Sequence, residues 1–85
     1  MSAEARFLDE MTDLDPEGVI TNRELSWNYQ GWCDQEHVPM VHRLSNDALG
    51  RAMNGLGWGS VKRRHEGRNQ RARTGRRWRK QLGFG

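Results

Sequence analysis

Ser45-Asn46-Asp47-Ala48-Leu49-Gly50-Arg51-Ala52-Met53-Asn54-Gly55-Leu56-Gly57-Trp58, followed by Gly59-Ser60-Val61-Lys62-Arg63-Arg64-His65, is the stretch that decides the fold. Ser45 has the short hydroxyl that caps a helix N-terminus, and Asp47 in the first turn suits the helix dipole. Leu49, Ala52, Met53 and Leu56 then recur at i, i+3, i+4 and i+7, the pattern of an amphipathic helix. Gly57 suits the left-handed position after a helix end, with Trp58 folding back in a Schellman-type contact. Beyond Trp58 the period changes, and Ser60 to His65 reads as a strand. The spacing therefore predicts a helix over 45–56 and a strand over 60–65.

Downstream, Glu66 to Gly75 reads as a long polar, basic loop. Arg76 to Phe84 reads as a second strand, with Trp78, Lys80, Leu82 and Phe84 on one side. Together these predict a β-hairpin anchored by Trp58, Val61, Trp78 and Leu82, with a mobile tip. Upstream, Ser2 caps a first helix with Ala3, Phe7, Met11 and Leu14 on one face and Leu8 beside them. Asp15-Pro16-Glu17-Gly18 reads as the turn that ends this helix, and Gly18-Val19-Ile20 as a brief strand. Thr21 or Asn22 caps a second helix; with Thr21 as cap, Glu24 completes a capping box. Leu25, Tyr29, Trp32 and Cys33 form its core stripe, Glu36 continues the repeat, and Trp27 lies off it. This helix is expected to fade near His37, before Pro39, and residues 38–44 connect onward with room for one helical turn.

The resulting order is helix, short strand, helix, helix, strand, basic loop, strand. That is the order of a winged helix-turn-helix: an α+β fold of three helices, a short strand and a basic β-hairpin wing. Residues 1–85 are read as one domain with a flexible wing loop over 66–75, and the helix at 45–56 takes the recognition position.

Charge supports a division of labour. Residues 1–50 carry ten acids and three bases, whereas residues 51–85 carry eleven bases and one acid, Glu66. A stretch so one-sided points to nucleic acid, because each neutralised phosphate releases condensed counterions. In the recognition helix, Asn46, Asp47, Gly50, Arg51 and Asn54 occupy the polar face. In a major groove Arg reads guanine and Asn reads adenine through paired hydrogen bonds. Gly50 is costly inside a helix and is expected to permit close approach of a backbone, from DNA or from the neighbouring helix. The candidate DNA-binding residues are Asn46, Arg51, Asn54, Lys62, Arg63, Arg64, Arg68, Arg71, Arg73, Arg76, Arg77 and Arg79, with Asn69 and Gln70 adding contacts at the tip. The predominance of Arg over Lys suits bidentate phosphate contact and minor-groove insertion.

Other chemistry is not indicated. Cys33, His37 and His42 match no common zinc spacing. No Ser/His/Asp set, paired carboxylates or phosphate-cradling glycine loop is present, so no enzyme, metal or cofactor is expected. The single Cys33 suits a reducing, cytoplasmic setting. No apolar run is long enough for a membrane span or a signal peptide.

Phe7-Leu8, Glu24-Leu25 to Tyr29, Trp32-Cys33, Leu44-Ser45, Leu49-Gly50-Arg51, Met53 and Leu56-Gly57 together resemble the C-terminal winged-helix module of phage and plasmid primase–helicases. That module shows an apolar-Tyr-x-x-Trp-Cys helix and a Ser-capped helix with Phe/Leu-Gly-Arg-x-Leu. A basic hairpin ending in a Trp-containing strand follows. The resemblance runs from about residue 7 to residue 84, and departs after Trp78, where Lys80-Gln81 replace the usual Gly-Ile. It implies binding of origin or template duplex DNA in phage or mobile-element replication, as an excised domain or a stand-alone protein. An excisionase-like or transcriptional regulator is the close variant. Two readings from other classes remain beside it. The acidic front half (Asp9, Glu10, Asp13, Asp15, Glu17) would dock a basic partner in a replication complex. Alternatively, the basic loop and an exposed Trp27 or Trp78 would bind single-stranded nucleic acid.

Overall fold

The computed structural model describes residues 2–65 and 67–79, the side chains of 62–65, 68 and 69 excepted. Their backbone forms α1 (Ala3–Met11), β1 (Thr12–Thr21), α2 (Asn22–Gln35), a short 3-10 turn at Met40–His42, α3 (Asn46–Gly55), β2 (Val61–His65) and β3 (Arg68–Trp78). This is a small α+β fold in which three helices pack on an antiparallel sheet of strand order β1-β3-β2.

Local capping sets each helix. Ser2 accepts from the Ala5 amide to start α1. Thr21 and Glu24 form a reciprocal capping box on α2, each side chain accepting from the other's backbone amide. Ser45 accepts from the Ala48 amide to start α3. At the far end of α3, Gly57 sits at φ 85°, its amide donates to Asn54, and the Trp58 amide donates to Met53. That is the Schellman arrangement read from the sequence. The end of α2 repeats it with His37 at φ 55°, as the His37 and Val38 amides donate to Asp34 and Cys33.

The core is one cluster. Phe7, Leu8 and Met11 of α1 meet Leu25, Tyr29, Trp32 and Cys33 of α2, Leu49 and Met53 of α3, and Ile20 and Trp58. Phe7 stands edge-on to Tyr29 and Trp32, with ring centroids 5.4 and 5.7 Å away, and Trp78 packs beside it. The Tyr29 hydroxyl accepts from the Leu44 amide, fixing the connector into α3.

Four expectations are corrected. First, α1 stops at Met11, so Leu14 is not in the core; it is 78% exposed on β1. The β-branched Thr12 turns extended at that point, and its hydroxyl donates to the Leu8 carbonyl. Second, Asp15 to Gly18 does not end a helix. It is an excursion within β1, between the Thr12–Leu14 pairing with Trp78–Arg76 and the Val19–Thr21 pairing with Thr74–Ala72. Third, residues 68–75 are not a loop. They belong to β3, the central strand, because β2 pairs along 68–72 and β1 along 72–74 and 76–78. Fourth, Val61 is 47% exposed and does not anchor the hairpin, and Leu56, after α3, is likewise exposed. The expected positions of Lys80, Leu82 and Phe84 lie outside the described residues.

Candidate nucleic-acid interface

Helix α3 buries Leu49 and Met53, and this rotation turns Asn46, Asp47, Arg51 and Asn54 outward. These four, with the half-buried Gly50, rim a shallow concavity of about 310 Å³. Ser60, which leads into β2, lines it too, so the outer face of α3 runs into the hairpin. A second groove of about 540 Å³ separates the start of α2, including Asn22, Arg23 and Trp27, from Asn46 and Gly50 of α3. Trp27, off the core stripe as expected, is 58% exposed there.

The hairpin register pairs Lys62 with Arg71, Arg63 with Gln70, Arg64 with Asn69 and His65 with Arg68. One of these oppositions, Lys62 with Arg71, sets cation against cation. Directly opposed like charges destabilise a strand pair, so their alignment here concentrates positive charge at the end of the sheet far from β1. The Arg71 side chain is exposed. The side chains of Lys62, Arg63, Arg64, Arg68 and Asn69 lie outside the described residues.

The other arginines of β3 are differently employed. Arg73 was expected on phosphate; instead it is 2% exposed. Its Nη1 donates to Asn54 Oδ1 at 2.9 Å and to the Trp58 carbonyl, and its Nη2 donates to the Gly50 carbonyl at 3.3 Å. All these partners are neutral oxygens, and burial pulls the guanidinium below its ordinary pKa. Arg73 thus holds the C-terminal half of α3 against the sheet. Its guanidinium and that of Arg76 both lie under 6 Å from the Trp58 ring, at 5.8 and 5.9 Å. Arg76 also donates to the Thr12 hydroxyl at 3.1 Å.

At the strand end, Arg79 donates to Asp13 Oδ1 at 2.8 Å through Nη2 and at 3.1 Å through Nε. Hydrogen bonding from Arg79, together with the charges of Arg79 and Arg77, holds the Asp13 carboxyl below its ordinary value. Arg77 is exposed and stands opposite Asp13 in the register. The acidic β1 therefore offsets the basic end of β3 at residues 76–79.

The positions expected to face DNA thus divide. Asn46, Arg51 and Asn54 gather on one exposed face, with Arg71 on the adjoining hairpin. Arg73, Arg76 and Arg79 are drawn into intramolecular contacts. Sequence reading missed Arg73 because the acceptors that permit its burial lie 15 to 23 residues away. Gly50 is explained only in part. A Cβ there would meet Arg73 Nη2 at 3.5 Å, an ordinary contact, and no neighbouring backbone within 4 Å. Close packing of helices is therefore not what keeps a glycine at this position.

Among the described residues, no group of three or more His, Cys, Asp or Glu could hold a metal ion. None of their helices is long and apolar enough to cross a membrane. No protein-family model, curated protein or solved structure matches the chain.

Proposed function

We propose that this chain is a winged helix-turn-helix module that binds duplex DNA. Helix α3 lies in the major groove, with α2 as the first helix of the pair, and the β2–β3 hairpin is the wing along the adjacent backbone. The observation that carries this is the joining of two features. The outer face of α3 presents Asn46, Arg51 and Asn54 around one concavity, and that face leads through Ser60 into a hairpin whose register aligns Lys62 with Arg71. A helix of this width fits the major groove, and cations on the neighbouring hairpin reach phosphates. A role in phage or mobile-element replication, or in regulation, rests on the sequence resemblance.

The test is a comparison of fluorescent duplex DNA, single-stranded DNA and RNA at low salt. Duplex DNA is expected to bind tightest, and Arg51→Ala to weaken its preferred site by about 1–3 kcal/mol while relaxing sequence choice. Absence of duplex binding, or tighter binding of single strands, would overturn the proposal.

A further inference from the structure

Of the chain's five asparagines, Asn54 alone is followed by glycine; arginine, tyrosine, aspartate and glutamine follow the others. A glycine amide has no Cβ beside it, so it closes on a preceding asparagine side chain with the least hindrance. The pair also stands where the backbone can yield. Gly55 is the last residue of α3, helix ends fray, and glycine holds a helix poorly. Asn54 and Gly55 are both exposed. Apart from chain neighbours and the backbone of α3 itself, nothing lies within 4 Å of where a Gly55 Cβ would stand. What Asn54 touches gives its chemistry a consequence. Its Oδ1 accepts from Arg73 Nη1 at 2.9 Å, and Arg73 is 2% exposed with neutral oxygens as its hydrogen-bond partners.

We propose that Asn54-Gly55 is a deamidation site whose product sets a carboxylate against buried Arg73 and weakens the hold on duplex DNA. The loss of DNA affinity rests on the duplex-binding proposal above; the conversion and the ion pair do not. The Gly55 nitrogen attacks Asn54 Cγ and gives its proton to solvent base. The bond from Cγ to Nδ2 breaks, and ammonia leaves with a proton taken from solvent. Water then opens the cyclic imide. Opening at Cγ leaves aspartate, and opening at the backbone carbonyl leaves its isomer, with the chain running through the side chain. Nothing is oxidised or reduced; water enters and ammonia departs. An aspartate at position 54 keeps an oxygen where Oδ1 stands and makes the bond to Arg73 charge-assisted. The helix dipole opposes a carboxylate in the last turn, but a guanidinium shielded from solvent at hydrogen-bond distance outweighs it. The same change removes the Nδ2 donors and puts negative charge on the face that carries Asn46 and Arg51. The fold gains where the complex loses. Ring closure requires Asn54 to leave its helical backbone angles and its bond to Arg73. Opening of the last turn of α3 therefore sets the rate, and duplex seated on α3 slows it.

The test holds the full chain in mildly alkaline buffer at physiological temperature and maps its peptides by mass over time. Asn54 should convert first among the five asparagines, faster in the denatured chain than in the folded one, and more slowly under saturating duplex. Conversion of another asparagine before Asn54 would overturn the inference. So would an Asn54 still intact in the folded chain after the denatured chain has converted fully. The product is tested with Asn54→Asp made directly. It should melt several degrees above the wild type, as one added charge-assisted bond does in a domain of this size, and bind duplex about 10-fold more weakly. A melting temperature at or below that of the wild type would overturn the pairing with Arg73. Undiminished duplex affinity would overturn the consequence for binding. Failure of the wild type to bind any duplex would instead overturn the function, and it is distinguishable because the conversion at Asn54 and the raised melting temperature are read without DNA.

Discussion

Arg73 is where charge, packing and the proposed recognition face meet. A buried cation is costly unless its donors are satisfied, and here three oxygens from α3 and its C-terminal turn satisfy part of the fork. Its Nε has no partner among the described residues. Truncation to alanine would leave a cavity and strip those oxygens of their donor, so Arg73→Ala should lower unfolding free energy by about 2–4 kcal/mol. Arg73→Met, which keeps the volume, should cost distinctly less; denaturant melts of both variants check the order. Gly50 should behave in the opposite sense. Alanine there meets only ordinary contacts, so helix propensity favours it by up to about 1 kcal/mol. If DNA approaches α3 as proposed, Gly50→Ala should raise the melting temperature while weakening duplex binding. A variant that is more stable and binds equally well would show that the glycine is not held for ligand approach.

Among the elements, the helices were legible and the central strand was not. Ser2, Thr21 with Glu24, Ser45 and Gly57 act on amides within a few residues, so their signals are local and survive folding unchanged. Strand β3 has no such signal. Arg68 to Thr74 is polar with no clean alternation, and it becomes a strand because β1 and β2 pair on either side of it. The Asp15–Gly18 segment looks like a helix-ending turn because Pro16 and Gly18 are turn residues. It proves to be a bulge within β1, stabilised by the Glu17 amide donating to Asp15 Oδ1. Gly18 is required there for space: a Cβ would fall 2.1 Å from the Arg76 carbonyl oxygen, which is backbone and cannot rotate away. Gly18→Ala should therefore part β1 from β3 locally and cost about 1–3 kcal/mol, as overpacking does. The check is a melting temperature lowered by several degrees, with amide-exchange protection lost first in β1. The same pairing shows why counting charges by segment misplaced the site: the arginines nearest the chain's end face the acids of β1, and only register reveals it.

At the scale of the molecule, the charge asymmetry is partly cancelled inside the fold. The cancelled part should respond to acid. Asp13 lies below its ordinary 3.8, chiefly through Arg79, and Glu10 below its ordinary 4.5, chiefly through the Trp32 indole and then Arg6. Depressed carboxylates bind fewer protons folded than unfolded. Their contribution is therefore complete above the ordinary values and disappears as pH falls through the depressed ones. The melting temperature should stay level near neutrality and decline below about pH 4, with a shallower decline in Asp13→Asn. Duplex binding through the basic hairpin, as proposed, should respond to salt. With about five phosphates neutralised, log K should fall against log salt with a slope of about −4 to −5. Arg71→Ala should reduce that slope by about 0.9, whereas Arg79→Ala, tied to Asp13, should leave it nearly unchanged.

The most direct measurement is a titration of amide NMR spectra with a short duplex. If α3 and the hairpin form the binding surface, the amides of Asn46 to Asn54 and of β2 and the adjoining half of β3 should shift, while those of Asp9 to Glu17 on α1 and β1 stay in place. Shifts centred on α1 and β1, or a spectrum unmoved by saturating duplex at low salt, would contradict duplex recognition by this face.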